Sequence, residues 1–469
     1  MQNNIFKFHN GSLGLFVFIM IFSTSCKKLI EIPVNPIDKL PISRVFSDSA
    51  DIMGAVAGVY ANFGAASYGG FITGYITKNT ALTSDELYPA ALYPNDLFFY
   101  HNNILINNSD VGGMWSDAYK TIFQINTVIE GVSSTAAISE ALKQQLIGEM
   151  EVARSLFYFN LVNIWGEVPL VTGTDYKINK TKPRASIDSV YKQILSDLSG
   201  AQQKLTPTYP SDGHLRPNIY VAQALVAKVY LYLGRYQEAL EAANSVINSG
   251  DYSMVTDLNG VFLDGSTEAI WQIPANGIYQ ATPDAASFIP YDPSYVPEYS
   301  LTATLINSFE SGDQRKVKWL NYNNVDNGNG TFTLYYYPYK YKNKQPTQTP
   351  TEDYMLLRLA DTYLVRAEAS AQLGDLTAAL ADLNIVRQRA GLTPSNFSLK
   401  ADVINAIMHE RQIELFCELG NRWFDLKRTG TINAVLGTEK NNWETTDALF
   451  PIPQFELQAN PYLKQNPGY

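Results

Sequence analysis

From Leu142 to Ile164 the apolar residues fall into one stripe: Leu142, Leu146, Met150, Ala153, Phe157, Leu161 and Ile164, each three or four positions after the last. That spacing lays them on one face of a long helix. Gly166 and Pro169 predict where it stops, since glycine suits a helix C-terminus and proline cannot continue the backbone bonding. Similar patterning predicts helices over 48–63 and 114–131. Ser186 reads as an N-cap, with Asp188 in the first turn of a helix running to about residue 203.

Two later segments align without a gap at an offset of 140 residues. They are "AQALVAKVYLYLGRYQEALEAANSVI" from Ala222 and "TYLVRAEASAQLGDLTAALADLNIV" from Thr362. Ala227 matches Ala367, Gly234 matches Gly374, and Ala239–Leu240 match Ala379–Leu380. The pattern is helix, glycine turn, helix, with small residues where helices must approach closely; it resembles the tetratricopeptide repeat. Such a pair cannot bury its faces alone, so the helices at 139–165 and 186–203 are expected to stack with it. Between the repeats, 251–350 turns rich in Tyr, Pro, Asn, Gly and Thr. "TEAIWQIP" and "TFTLYYYPYKY" have strand composition, Trp271 reads as core, and the Asn-Gly pairs of "DNGNG" suit a hairpin turn. The expected fold is mainly α: a repeat scaffold over about 114–250 and 352–420, a long loop-rich, partly β insertion over about 251–351, and an irregular tail over 430–469.

The N-terminus reads as an address. The apolar run over 13–22 is about half of the roughly 20 residues that span a bilayer. It follows Lys7 and ends in Ser23, Thr24 and Ser25, the form of a secretory signal. Cys26 comes next, and the arrangement resembles a bacterial lipoprotein signal, in which that cysteine becomes the lipid-bearing N-terminus. Residues 1–25 are then removed, and the rest, 26–469, forms one domain. Only Cys417 remains, so no intramolecular disulfide can form and stability rests on the core.

Composition narrows the function. Hydrophobic residues at 46% and charged residues at 17% suit a folded chain. Loss of Lys7 with the leader takes the formal charge from −10 to −11, and there is no basic cluster; this argues against nucleic acid and against charge-driven membrane binding. Contact with the membrane is expected through the N-terminal lipid only. The four histidines lie far apart, and no HExxH, CxxC, GxSxG, P-loop or GxGxxG is present. No catalytic residue, metal site or cofactor is therefore expected.

"ERQIELFCELGNRWFDLKRTG" (410–430) and the terminal "LFPIPQFELQANPYLKQNPGY" resemble the two signatures of the SusD/RagB family. "MWSDAYKTIFQINTVIEGV", "ARSLFYFNLVNIWGEVPLVT" and "LRLADTYLVRAEASAQLGD" are similar to its helical segments, so the resemblance covers nearly the whole mature chain. It implies an outer-membrane lipoprotein facing outward. Such a protein caps a TonB-dependent β-barrel of the SusC type, binds a glycan or sometimes a peptide, and performs no catalysis. Within the signature, Arg422, Asp425 and Arg428 are expected to form an ion-pair network tying the last helix to the tail, with Trp423 and Phe424 packed beneath. Glu410, Glu414 and Glu418, on one helix face, need cationic partners, and Cys417 on the same helix is expected to be buried.

The ligand contacts of this family follow no shared motif, so composition must choose. Sugar faces need aromatic platforms, and sugar hydroxyls need polar partners. The stretch 84–103 offers Asp85, Tyr88, Tyr93, Asn95, Phe98, Tyr100 and Asn102. The insertion offers Tyr279, Tyr291, Tyr295 and Trp319. Three rivals stand beside glycan capture: peptide binding by the same family, a glycoside hydrolase using paired carboxylates, and a helical-repeat adaptor without a small ligand.

Overall fold

A computed structural model describes residues 42–64, 69–275, 281–345 and 351–469. Helix starts follow the local chemistry of the caps. Helix α1 (Ser49–Phe63) begins where the Asp48 carboxylate accepts from the Ala50 and Asp51 amides. The short α2 (Ile76–Thr83) follows an irregular turn. Asn108 caps α3 (Ser109–Ser134), Ser139 caps α4 (Glu140–Trp165), and Ser186 caps α5 (Ile187–Lys204). Each supplies an oxygen to amides that the helix itself leaves unbonded. Helix α4 stops at Gly166, whose φ of 72° falls where glycine is favoured.

The aligned segments form matching hairpins, α6 (Ile219–Tyr232) with α7 (Tyr236–Ile247), and α8 (Leu359–Leu373) with α9 (Leu376–Arg389). Gly234 and Gly374 make the turns at φ 67° and 94°. From α3 through α9 each helix packs on the next, so α7 meets α8 across the whole insertion. A ladder makes this possible: β4 (Ala269–Pro274) pairs antiparallel with β8 (Asp353–Arg358), drawing the two ends of the insertion together. The other ladders are β1 (Leu87–Pro89) with β5 (Tyr299–Leu301), β2 (Val168–Pro169) with β3 (Arg184–Ala185), and the hairpin of β6 (Leu320–Asp326) and β7 (Phe332–Pro338). The "DNGNG" stretch makes the hairpin turn, with Gly328 and Gly330 at positive φ. Trp271, on β4, is fully buried.

Helix α10 (Lys400–Glu414) packs on α8 and ends earlier than the spacing of its glutamates predicts. Cys417 and Leu419 both have φ of 48°, so Cys417 and Glu418 lie in a bent connection before α11 (Asn421–Arg428). Buried cations explain the early end. Arg358 Nη2 and Lys340 Nζ donate to the Glu414 carbonyl at 2.8 and 2.9 Å, and Lys340 also to that of Phe416. Carbonyls bonded this way need no further helical turn. Cys417 is buried in this bend.

Buried cations also neutralise the glutamates. Arg315 bonds Glu410 at 2.6 Å and Glu414 at 2.8 Å, and Arg358 reaches Glu414, Glu418 and Glu268. Burial opposes ionisation of Glu414, but Arg389, Arg358 and Arg315 outweigh it and hold its pKa well below the usual range.

The tail is less irregular than its composition predicts, since it holds α12 (Ile432–Glu439) and the helix Gln454–Ala459. It is stitched to the N-terminal helices. Trp165 Nε1 donates to the Pro451 carbonyl at 2.9 Å, and Asn466 Nδ2 donates to the Trp165 and Phe450 carbonyls.

Candidate functional site

The β1–β5 ladder sets Leu87 opposite Leu301 and Pro89 opposite Tyr299. It thereby joins the two stretches whose composition suggests ligand contact. Ahead of α2, the turn Phe71–Tyr75 contains Gly74 at φ 89°, ψ −67°, a conformation closed to residues with a Cβ. This turn aims Tyr75 and Lys78 into a cleft of about 290 Å³. Tyr93, Asp110, Glu298 and Tyr299 also line it.

Lys78 is the centre of the cleft. Its ammonium bonds Asp96 Oδ1 at 3.0 Å and Asp110 Oδ2 at 2.8 Å. It also lies 5.8 Å from the Tyr75 ring centroid and 5.7 Å from that of Tyr299, within cation–π range. Burial disfavours the ammonium, but Asp110 and Asp96 outweigh it and raise the pKa. Lys78 therefore stays charged, and with two of its three donors used it keeps one for a ligand oxygen. The Tyr299 hydroxyl donates to Asp96 Oδ2 at 2.7 Å. Burial, with Asp96 beside it, pushes the Tyr299 pKa far up, so the phenol stays neutral; the ring is largely buried where it lines the cleft. Tyr93 precedes the helix Pro94–Tyr100 and is 48% exposed at the rim. Farther out, Tyr291 and Tyr295 are 78% and 59% exposed, and the Asp292 and Tyr295 carbonyls accept from Asn323 Nδ2. The site therefore offers rings, a cation and carboxylates.

Among the described residues chosen by composition, Tyr93 lines this cleft. Three are buried and bonded to other parts of the chain. Asp85 is buried and bonds Arg422 at 2.9 and 2.6 Å. Asn102 is buried and donates to the Thr83 carbonyl. Trp319 is 0% exposed, stacked near Lys340, with its Nε1 donating to the Leu258 carbonyl. Tyr88, Phe98 and Tyr100 are half-buried, and the Lys440 ammonium lies 4.1 Å from the Tyr100 ring centroid. Asn95 donates to Ser109 Oγ, beside the cleft-lining Asp110. Cys26 and Tyr279 lie outside the described residues.

Sequence reasoning passed over Tyr75, Lys78 and Asp110. The available signal was a lone lysine three positions after a tyrosine, behind a glycine, in a stretch with no other charge, "FITGYITKNTALT".

The signature residues form two sets of buried ion pairs, one around Asp425 and one between Arg422 and Asp85. Asp425 bonds Arg411 at 2.7 Å and Arg428 at 2.8 Å, and Arg428 grips Glu368 through two bonds. These pairs tie α11 to α8 and α10, and Arg422 ties it to Asp85, so the charges hold helices rather than the tail. Tail contact falls to Trp423, fully buried against Trp443 and Phe450. Among the described residues no group of three or more His, Cys, Asp or Glu side chains is placed to hold a metal ion.

These features define a class: a stacked helical-repeat scaffold that carries an aromatic, charged cleft on its loop-rich side. Residues 306–469 match the model of the SusD family, and residues 48–231 match one described as starch-binding associating with outer membrane. The chain belongs to the SusD-like family. It is 26% identical to SusD-like protein P38 of Formosa agariphila, over 99% of this chain and 100% of that relative. A SusD superfamily structure from Bacteroides vulgatus is 21% identical with a TM-score of 0.78, covering 90% of this chain and 100% of that one. A laminarin-binding SusD-like protein (24% identical, TM-score 0.74) and surface glycan-binding protein A from Bacteroides fluxus (22%, 0.73) share the fold, each over 90% of this chain and 100% of the neighbour. No helix among the described residues is long and apolar enough to cross a membrane.

Proposed function

We propose that this chain is a non-catalytic, lipid-anchored protein of the outer surface that binds glycan in the Lys78 cleft and passes it to a SusC-type TonB-dependent barrel. The observation that carries the binding role is the cleft itself. Neutral tyrosine rings flank an ammonium with a donor to spare, which suits a ring with a C–H face and many hydroxyls. The family description, and the names of two structural neighbours, one laminarin-binding and one glycan-binding, support the same ligand class. The Cys26 arrangement supports the anchor. Calorimetric titration tests the reading. Starch- and laminarin-derived oligosaccharides are expected to bind, oligopeptides are not, and Tyr93→Ala is expected to weaken binding about tenfold, the effect of one lost stacking platform. Peptide binding without glycan binding, or turnover of the bound glycan, would replace this reading.

A further inference from the structure

A second cavity, about 620 Å³, lies between α3, the 168–181 segment and the helix Gln454–Ala459. One wall is a stripe of α3, with Trp115, Tyr119 and Phe123 at successive helical turns. The opposite wall is Tyr176 on the short helix Tyr176–Asn179, with the Lys180 ammonium 5.6 Å from its ring centroid. Tyr176 is 73% exposed. Glu456 stands at the rim, its carboxyl pushed up by burial with no cation beside it.

The walls are built rather than loose. Tyr119 donates to the Pro169 carbonyl at 2.8 Å, Lys182 to that of Leu170 at 2.7 Å, and Asn460 Nδ2 to that of Lys182 at 2.9 Å. Thr174 bonds Glu130 through both its amide and its hydroxyl. The segment holding Tyr176 is thus fixed while the ring itself stays uncovered. A preformed cavity with aromatic walls and a few polar groups at the rim is the general form of a ligand site. One lysine and one glutamate leave it without net charge, so it favours a neutral ligand.

We infer that this cavity is a second site for a neutral oligosaccharide, separate from the Lys78 cleft. The inference rests on the reading of the chain as a glycan binder. Two sites on one rigid body bind a long chain through a second, intramolecular contact, which raises affinity without new chemistry. The preferred ligand is then a polymer long enough to reach both sites.

Titration with maltoheptaose and laminarihexaose, and affinity electrophoresis in starch and laminarin, test it. Tyr93→Ala and Tyr176→Ala are compared with the parent, and Glu456→Gln serves as a second variant at the cavity. For the probe that binds, two sites per chain are expected, and Tyr176→Ala is expected to remove one of them. It should also weaken retention by the polymer at least tenfold. Unchanged stoichiometry and retention in Tyr176→Ala and Glu456→Gln, with binding lost in Tyr93→Ala, overturn the second site and leave the cleft reading standing. Loss in Tyr176→Ala alone overturns the cleft reading and keeps the cavity. No binding of any probe by the parent overturns both.

Discussion

Lys78 shows how a single charge organises the cleft. Its ammonium bridges two carboxylates, Asp96 at 3.0 Å and Asp110 at 2.8 Å, whose charges would otherwise repel. Lys78→Met should cost about 3 kcal/mol of stability at neutral pH, the penalty for removing one partner of a largely buried ionic group. It should also abolish glycan binding at the cleft; urea melts and titration read the two effects separately. A second buried group makes stability depend on pH. Burial, with Asp85 beside it, pushes the Glu86 carboxyl up to about 8, against the Cys417 amide and the Arg422 and Lys340 charges. Unfolded, the same group ionises near 4.5. Its contribution is therefore complete below that value. Stability then falls as pH rises toward 8, by up to about 1.4 kcal/mol per unit. Glu86→Gln keeps an acceptor for Cys417 but cannot ionise, so denaturant melts from about pH 5 to about pH 8 should show a flatter profile. A slope unchanged by the substitution would assign the pH dependence to other groups. None of this was legible from residue type alone. Asp85, Asn102 and Trp319 have the composition of ligand contacts, yet long-range partners bury them: Arg422 for Asp85, the Thr83 carbonyl for Asn102, and the Leu258 carbonyl for Trp319.

At the scale of elements the chain is far more readable, because helices announce themselves locally. The stripe from Leu142 to Ile164, the Ser186 cap and the matched glycines all report interactions within a few residues of themselves. Gly234 and Gly374 allow a clean test. Both have positive φ, an added Cβ at Gly374 meets nothing within 4 Å, and at Gly234 it meets only the Tyr236 ring end at ordinary contact distance. Alanine at either position should therefore cost about 1 kcal/mol through backbone conformation alone. Equal losses in thermal melts would show that the two turns are energetic equivalents. A cost several times larger at one of them would reveal a packing demand there. The end of α10 went the other way. Helical spacing extended it through Glu418, but Arg358 on β8 and Lys340 in the connection after β7 bond its last carbonyls and bend the chain. Local pattern cannot register a partner that arrives from elsewhere in the sequence.

Across the whole molecule, two kinds of stitching make one rigid unit from distant segments. Buried ion pairs join α8, α10 and α11, and the tail returns to α4 through Trp165, Phe450 and Asn466. A body held this way gives fixed positions to the Lys78 cleft and the Tyr176 cavity, so the proposed delivery to a barrel would require motion of the body as a whole. The tether proposed at Cys26 would permit that motion while keeping the protein at the membrane. A single acyl chain holds a protein only marginally, whereas two or more anchor it stably. Cys26→Ala should therefore shift the protein from the membrane fraction to the soluble fraction, and glycan uptake by cells should fall, while the affinity of the purified protein for glycan stays unchanged. Uptake that persists after release would mean that the barrel recruits the protein through its surface rather than through the anchor. Retention in the membrane fraction would place the tether elsewhere. Because the described residues that line the cleft lie between 74 and 299, far along the chain from Cys26, binding and anchoring should separate cleanly in this one substitution.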